Sequence, residues 1–358
     1  MSRYWSDHVS GLSPYVPGEQ PKKEQLIKLN TNEHAFGPSP KVFEAIQANL
    51  NDQLRLYPQP GSDALVQAIS ACHGVGRDQV FVGNSSDEVL AHLFNALFRK
   101  ADKPLWLPDI TYSFYKTYCK FYDIEPHFVS LDEQLQINAT DYHEAQLNGA
   151  GGIIFANPNA PTGHYLTLDK ITRILALNPA IPVVVDEAYI NFGAQSALSL
   201  LQEHENLVVV HTLSKGYALA GLRVGYALAS AEIVAGLQRV KDSFNSYPLD
   251  RLAQAGAVAA LNDSDYYDKT NAAIIENRDY LTQALSACDF EVLPSMANFV
   301  FARPRWSSAK AVFDTLREQG ILVRFFDQPR INEFLRITVG NKAECEALIT
   351  AIKAQKTK

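Results

Sequence analysis

The sequence is short of cysteine and of any metal-binding pattern. Its 358 residues include 4 cysteines, Cys72, Cys119, Cys288 and Cys345, far apart and without C-x-x-C spacing. Scattered cysteines read as reduced thiols, neither a disulfide framework nor a zinc site. The 9 histidines form no H-E-x-x-H, so no metal site is expected. Positive charge is not in excess: the formal net charge is −7, which argues against a nucleic-acid partner. No apolar run reaches the length of a membrane span. The opening "MSRYWSDHVSGLSPYVPGEQPKK" has no apolar core of a secretory signal, so a cytoplasmic location is expected. No G-x-G-x-x-G opens a helix after the first strand, which speaks against a nicotinamide-dependent enzyme.

What the sequence does contain is an alternation. Hydrophobic residues make up 47% of the chain, enough for a large core and two domains. Helix-like stretches ("DALVQAISACHG", "DEVLAHLFNALF") are interleaved with short apolar runs ("QVFVG", "PLWLP", "GGIIFA", "IPVVVDEA", "NLVVVHT", "VGYALA"). Continuous β-branched runs bounded by turn residues suit strands covered on both faces. Their alternation with helices predicts an α/β layered, mostly parallel sheet. Near residue 265 the rhythm changes to one long helical segment and then "FEVLPSMANFVFARP", "GILVRFF" and "FLRITVG". Residues 41–265 are therefore expected to form a large domain. An N-terminal arm, 1–40, would join residues 266–358 in a smaller α+β domain.

In open α/β sheets, ligands bind beyond the carboxyl ends of the strands, so the residues after each apolar run matter most. After "QVFVG" comes Asn84-Ser85-Ser86-Asp87-Glu88, a helix start whose free N–H groups favour an anion. Ser85 and Glu88 have capping-box spacing, and on these letters alone a plain helix cap is the simpler reading. After "VVV" comes Asp186, costly at the end of a buried strand unless it meets a cation or donors. Tyr189 follows three residues on. After "VVVHT" comes Lys215, in a loop of small residues where a desolvated amine becomes a nucleophile toward aldehydes. Ser214 and Arg223 flank it with the hydroxyl and guanidinium suited to a phosphate. A Schiff-base lysine, an aspartate for a pyridinium nitrogen and a phosphate site together specify pyridoxal 5′-phosphate. Tyr112, after "PLWLP", suits stacking on the ring or plain core packing equally well.

The ordered set "NSSDE…TYSFY…NPNAPTG…VVVDEAYINF…TLSKGYALAGLRVGY…LRITVG" resembles the fold-type I pyridoxal-phosphate aminotransferases, and within them the histidinol-phosphate aminotransferase family. The likeness runs from about residue 10 to 345. It implies a homodimer, and a phosphorylated amine and glutamate as substrates. It also implies roles for particular residues. Lys215 would form the Schiff base and move the proton, Asp186 would meet the ring nitrogen, and Tyr189 the ring hydroxyl. Ser86, Asp87, Ser214 and Arg223 would hold the phosphate, Tyr112 would stack on the ring, and Tyr57 would reach the cofactor of the neighbouring subunit. Arg336 and Arg324 would bind the substrate anion, with Tyr15, Asn32 and Asn298 along the substrate channel. An aromatic aminotransferase and a phosphothreonine-type decarboxylase share this scaffold and remain alternatives. One departure stands out. Ala160 replaces the asparagine that many relatives place before Pro-Thr-Gly to donate to the ring oxygen. Asn157 or Asn159 is expected to supply that donor.

Overall fold

The computed structural model describes residues 3–14, 18–19 and 26–356. The apolar runs fold into the strands of one large sheet. In chain order the first strands are β1 (Ile27–Lys28), β2 (Val80–Asn84), β3 (Leu105–Pro108), β4 (Pro126–Val129), β5 (Gly152–Ala156), β6 (Val183–Asp186), β7 (Leu207–Thr212) and β8 (Val224–Ala229). The sheet runs β2-β8-β7-β6-β5-β3-β4. β3 to β7 pair in parallel, and β8 runs antiparallel to β2 and β7.

β5, β6 and β7 are buried at every position, as strands covered on both faces must be. Alternation sorts their side chains between the two layers. Ile153, Phe155, Val183 and Val185 pack with helices Asp63–His73, Leu168–Leu177 and Arg251–Leu261 on one face. Ile154, Val184 and Val208 pack with helices Ser85–Leu93 and Phe114–Phe121 on the other. The edge strand β4 has no counterpart among the sequence runs. Its His127 and Phe128 are exposed and it opens on Pro126, so an edge position tolerates it but leaves little apolar signal.

The C-terminal part builds a second, antiparallel sheet. Its strands are β9 (Phe290–Val292), β10 (Phe299–Pro304), β12 (Arg324–Phe325) and β13 (Leu335–Thr338), in the order β12-β13-β10-β9. Between β10 and β12, β11 (Ile321–Leu322) pairs in parallel with β1, which ties the N-terminal arm to this unit. The helix Ser264–Ala287 covers the sheet through Ile274, Leu281 and Leu285.

Candidate active site

The parallel strands deliver their last residues to one place. β5 ends at Ala156 and β6 at Asp186, while β7 leads into Ser214 and Lys215. A cavity of about 270 Å³ opens there, walled on the far side by Arg324 and Arg336 of the small sheet. Tyr112, Ala160, Tyr189 and Arg223 also line it.

Lys215 presents its amine to this cavity. Its Nζ donates to the Thr31 carbonyl at 3.0 Å. Burial holds its ammonium down to about 8, with Glu33 opposing the shift and Arg336 adding to it. Attack on an aldehyde requires the neutral amine, and this lowering raises its share.

Asp186 and Glu187 are consecutive, so the pleat turns them to opposite faces. Asp186 lines the cavity and accepts from the Tyr115 hydroxyl at 2.7 Å through Oδ2. Its Oδ1 is buried and, among the described residues, has no hydrogen-bond partner of good geometry. Burial pushes this carboxyl up to about 6, while the Tyr115 hydroxyl pulls it down. Glu187 looks the other way. Its Oε2 lies 2.8 Å from His211 Nε2 and accepts from Ser196 at 2.5 Å, and its Oε1 accepts from the Ala197 N–H at 2.6 Å. The strand end carrying Asp186 is thereby fixed from behind.

The phosphate-type cradle forms where β2 turns into helix Ser85–Leu93. Ser86 and Asp87 line the cavity beside Ser214 and Arg223. Arg223 donates from Nη2 to Ser85 Oγ at 2.9 Å and to Asp87 Oδ2 at 2.7 Å. Tyr112 donates to Asp87 Oδ1 at 3.1 Å. β8 packs so close to this turn that a Cβ on Gly225 would sit 2.2 Å from the Ser86 nitrogen. Only glycine fits there, and it keeps the Ser85–Ser86 backbone beside Arg223. Glu88 does bond back to the helix start, but it accepts from the Asn84 N–H rather than that of Ser85. The cap therefore begins one residue earlier than its spacing implied.

On the opposite wall, Arg336 donates to the Asn30 carbonyl at 2.9 Å and lies 5.5 Å from the ring centres of Phe299 and Phe326. Arg324 stands directly across the β12–β13 ladder from Arg336. Asn32, at φ 56°, lines the cavity and donates to the Tyr189 hydroxyl at 3.0 Å. Asn298 stands one step behind the cavity. It is fully buried and donates to the Asn32 carbonyl at 3.0 Å, so it supports the channel residue without lining the channel. Tyr57 is 81% exposed and away from this cavity within the single chain. Tyr15 lies outside the described residues.

The asparagine expectation needs correction. Asn157 exchanges two hydrogen bonds with the Leu166 backbone, at 3.0 and 2.7 Å. Asn159 accepts from Thr111 and donates to the Ile110 carbonyl, both at 3.0 Å. Neither lines the cavity, whereas Ala160 and Pro161 do. Both amides are engaged by neighbouring groups, Asn157 by Leu166 and Asn159 by Ile110, Thr111 and Thr162, and they lock the turn. Ala160 itself packs with Ala297, Phe299 and Tyr189. Reading the sequence also missed Tyr115 and the Thr31 carbonyl. The three-residue spacing from Tyr112 could have flagged Tyr115. A backbone carbonyl leaves no letter to read.

The site fits pyridoxal phosphate. The bare buried Asp186 Oδ1 calls for a cationic N–H, which the pyridinium ring supplies. The Ser86–Arg223 cradle suits a phosphate, and the Lys215 amine lies in the same cavity. Among the described residues, no cluster of histidine, cysteine and carboxylate side chains could hold a metal.

Comparison with known proteins agrees. The family model for aminotransferase class I and II matches residues 24–352. Histidinol-phosphate aminotransferase 1 of Bordetella parapertussis is 57% identical over 353 residues, covering 99% of both chains. The protein of the same name from Pseudomonas aeruginosa is 54% identical, covering 98% of this chain and 99% of that one. The crystal structure of histidinol-phosphate aminotransferase from Sinorhizobium meliloti, in complex with pyridoxal-5′-phosphate, matches with TM-score 0.89 over 99% of each chain. At 24% identity that likeness speaks for the fold. The chain belongs to the histidinol-phosphate aminotransferase family of the class I and II aminotransferases.

Proposed function

We propose that the chain transfers an amino group reversibly between histidinol phosphate and 2-oxoglutarate, using pyridoxal phosphate and working as a cytoplasmic homodimer. The arginine pair carries the substrate reading. Arg324 and Arg336 face each other across one ladder and line the cavity that holds Lys215. Like charges directly opposite destabilise a sheet, and a doubly charged phosphate relieves that repulsion. Histidinol phosphate offers this group and no carboxylate. Glutamate and 2-oxoglutarate offer their carboxylates to the same guanidinium forks. The names of the two relatives from Bordetella parapertussis and Pseudomonas aeruginosa support the same substrate.

The bound cofactor supplies an electron-poor ring that accepts the electron pair released at the substrate's amine-bearing carbon. Asp186 Oδ1 would keep the ring nitrogen protonated. Ser86, Asp87, Ser214 and Arg223 would hold the cofactor phosphate, Tyr112 would stack on the ring and Tyr189 would meet the ring hydroxyl. Lys215, whose amine lies in the same cavity, would be the group that holds the cofactor aldehyde, with water as the leaving group. Its amine, when free, would serve as the base that takes the proton from the substrate's amine-bearing carbon and returns it. Asn32 orients the Tyr189 hydroxyl, with Asn298 holding Asn32. Residues 41–265 form the cofactor domain, and the arm 1–40 with 266–358 forms the domain that bears the arginines. Tyr57 serves the neighbouring subunit. It belongs to an exposed apolar stretch with Leu50, Leu54 and Leu56 that a second copy would cover. All four cysteines are free, and among the described residues no helix is long and apolar enough to cross a membrane, which suits the cytoplasm.

The test is a half-reaction screen. Cofactor-loaded protein is mixed with single amines, and loss of its visible absorbance is followed in time. Histidinol phosphate should react fastest. Faster reaction of phenylalanine or tyrosine overturns the substrate assignment, and release of carbon dioxide overturns the transfer reaction.

A further inference from the structure

The buried ammonium of Lys241 has no part in the chemistry above. It sits near the end of helix Ala231–Phe244 with its side chain 3% exposed. A buried ammonium is rare unless something holds it. Its Nζ donates to the Pro60 carbonyl at 3.1 Å and lies 2.9 Å from Asp242 Oδ1. Asp242 is the next residue on the same helix, so it fixes nothing elsewhere. Pro60 belongs to the turn Pro58-Gln59-Pro60-Gly61 that directly follows Tyr57.

The other hydrogen bonds of residues 52–62 are local. Leu56 N–H donates to Gln53 O, Ser62 N–H to Gln59 O, and Gln59 and Asp63 bond each other. Among the described residues, the Lys241 bond is the one hydrogen bond that ties this stretch to an element distant in sequence. A second tie comes from the loop that follows this helix. Tyr57 stacks on Tyr247 with ring centres 4.8 Å apart and planes 19° apart. The turn's backbone is thus held by the helix and the Tyr57 ring by the loop just past it, while Tyr57 stays exposed.

We infer that Lys241 is a positioning residue, pinning the turn so that Tyr57 is set for the partner subunit's cofactor site. This rests on the reading that Tyr57 serves that site. A turn fixed in advance loses less freedom on docking, which strengthens binding without a new contact. The buried ammonium serves the turn, and the fold does not need it.

The experiment compares the wild-type homodimer with Lys241→Met, Lys241→Arg, Tyr57→Phe and the Lys241→Met/Tyr57→Phe double variant. Apoprotein is titrated with pyridoxal phosphate, hydrogen exchange is read over residues 52–62, and melting is followed. Lys241→Met should weaken cofactor binding about 5- to 10-fold, and on the Tyr57→Phe background should add less than about 2-fold. Exchange in residues 52–62 should quicken, while the melting temperature holds or rises because a buried charge is gone. Lys241→Arg should recover most of the affinity. If Tyr57→Phe weakens cofactor binding but Lys241→Met does not, the Lys241 role is wrong and the Tyr57 reading stands. Losses that multiply in the double variant exclude the Lys241 role in the same way. If Tyr57→Phe leaves cofactor binding unchanged, the Tyr57 reading fails and the Lys241 role falls with it.

Discussion

Replacing Asp186 with asparagine should push the apoprotein and cofactor binding in opposite directions. In the apoprotein, burial raises this carboxyl from an ordinary 3.8 to about 6. The folded state therefore holds the proton more tightly than the unfolded chain. The resulting penalty is fully present above pH 6, shrinks as pH falls through 6, and is gone below pH 4. A shift of about 2 units at about 1.4 kcal/mol each gives about 3 kcal/mol at pH 8. Asparagine keeps an oxygen for the Tyr115 hydroxyl and removes the charge. Cofactor-free Asp186→Asn should thus be more stable than wild type by about 3 kcal/mol at pH 8 and about equal to it near pH 4. Urea melts of both apoproteins at pH 4, 6 and 8 measure this difference, and other titrating groups cancel between the two. The variant should also bind pyridoxal phosphate at least about 10-fold more weakly, having lost the anion opposite the ring nitrogen. A stability difference that is flat with pH, or a variant that is the less stable at pH 8, refutes the assignment of Asp186 as a stored charge awaiting a cation.

Other consequences follow from the same geometry. With Lys215 held to about 8, about a quarter of its amines are neutral at pH 7.5, against about 0.1% for an unshifted lysine. Capture of an aldehyde probe by the apoprotein should rise through pH 8 and level off above it; a rise continuing to pH 10 contradicts the shift. Lys215→Ala should still bind cofactor and should lose turnover, with both read on the same sample. Arg336→Ala should raise KM for a phosphorylated amine about 10- to 100-fold, the loss of a charge-assisted pair, while cofactor affinity measured by titration stays within about 2-fold. Ala160→Asn should cost about 1–3 kcal/mol of stability in denaturant melts, because position 160 is packed against Phe299 and Tyr189. Mixing Lys215→Ala and Tyr57→Phe subunits should give hybrid dimers with one intact site and recovered activity; no recovery removes Tyr57 from the neighbouring subunit's site.

Much of the molecule was legible because each strand signal ends at a residue with its own chemistry. The runs around Ile154, Val184 and Val209 became the buried parallel strands, and Asp186, Lys215 and Arg223 came to line one cavity. β4 escaped because an edge strand is covered on one side only and needs few apolar letters. Tyr115 escaped because its value lies in a single hydroxyl contact to Asp186 across the sheet layer. The asparagines of the Asn-Pro-Asn turn misled for a related reason. The letters show amides near a cofactor but not which backbone groups need satisfying. Asn157 and Asn159 serve the backbone of Leu166 and Ile110, and buried backbone groups left without partners are costly.

Topology explains why residues so far apart in sequence meet. Parallel strands all end on the same side, so β5, β6 and β7 bring Ala156, Asp186 and the lysine loop to one edge. β8 then enters from that edge in the opposite direction. Its first residues therefore lie where its neighbours' last ones do, and the register sets Val224 opposite Asn84 and Gly225 opposite Thr212. Arg223, just ahead of that strand at φ 53°, is placed beside Ser85 and Asp87 by this reversal. A parallel β8 would carry Arg223 to the far end of the sheet and leave the helix start at Ser85 without its cation. The single antiparallel strand is thus what joins the phosphate cradle to the lysine loop, and the short Lys215-to-Arg223 connection is the chain length that reversal needs.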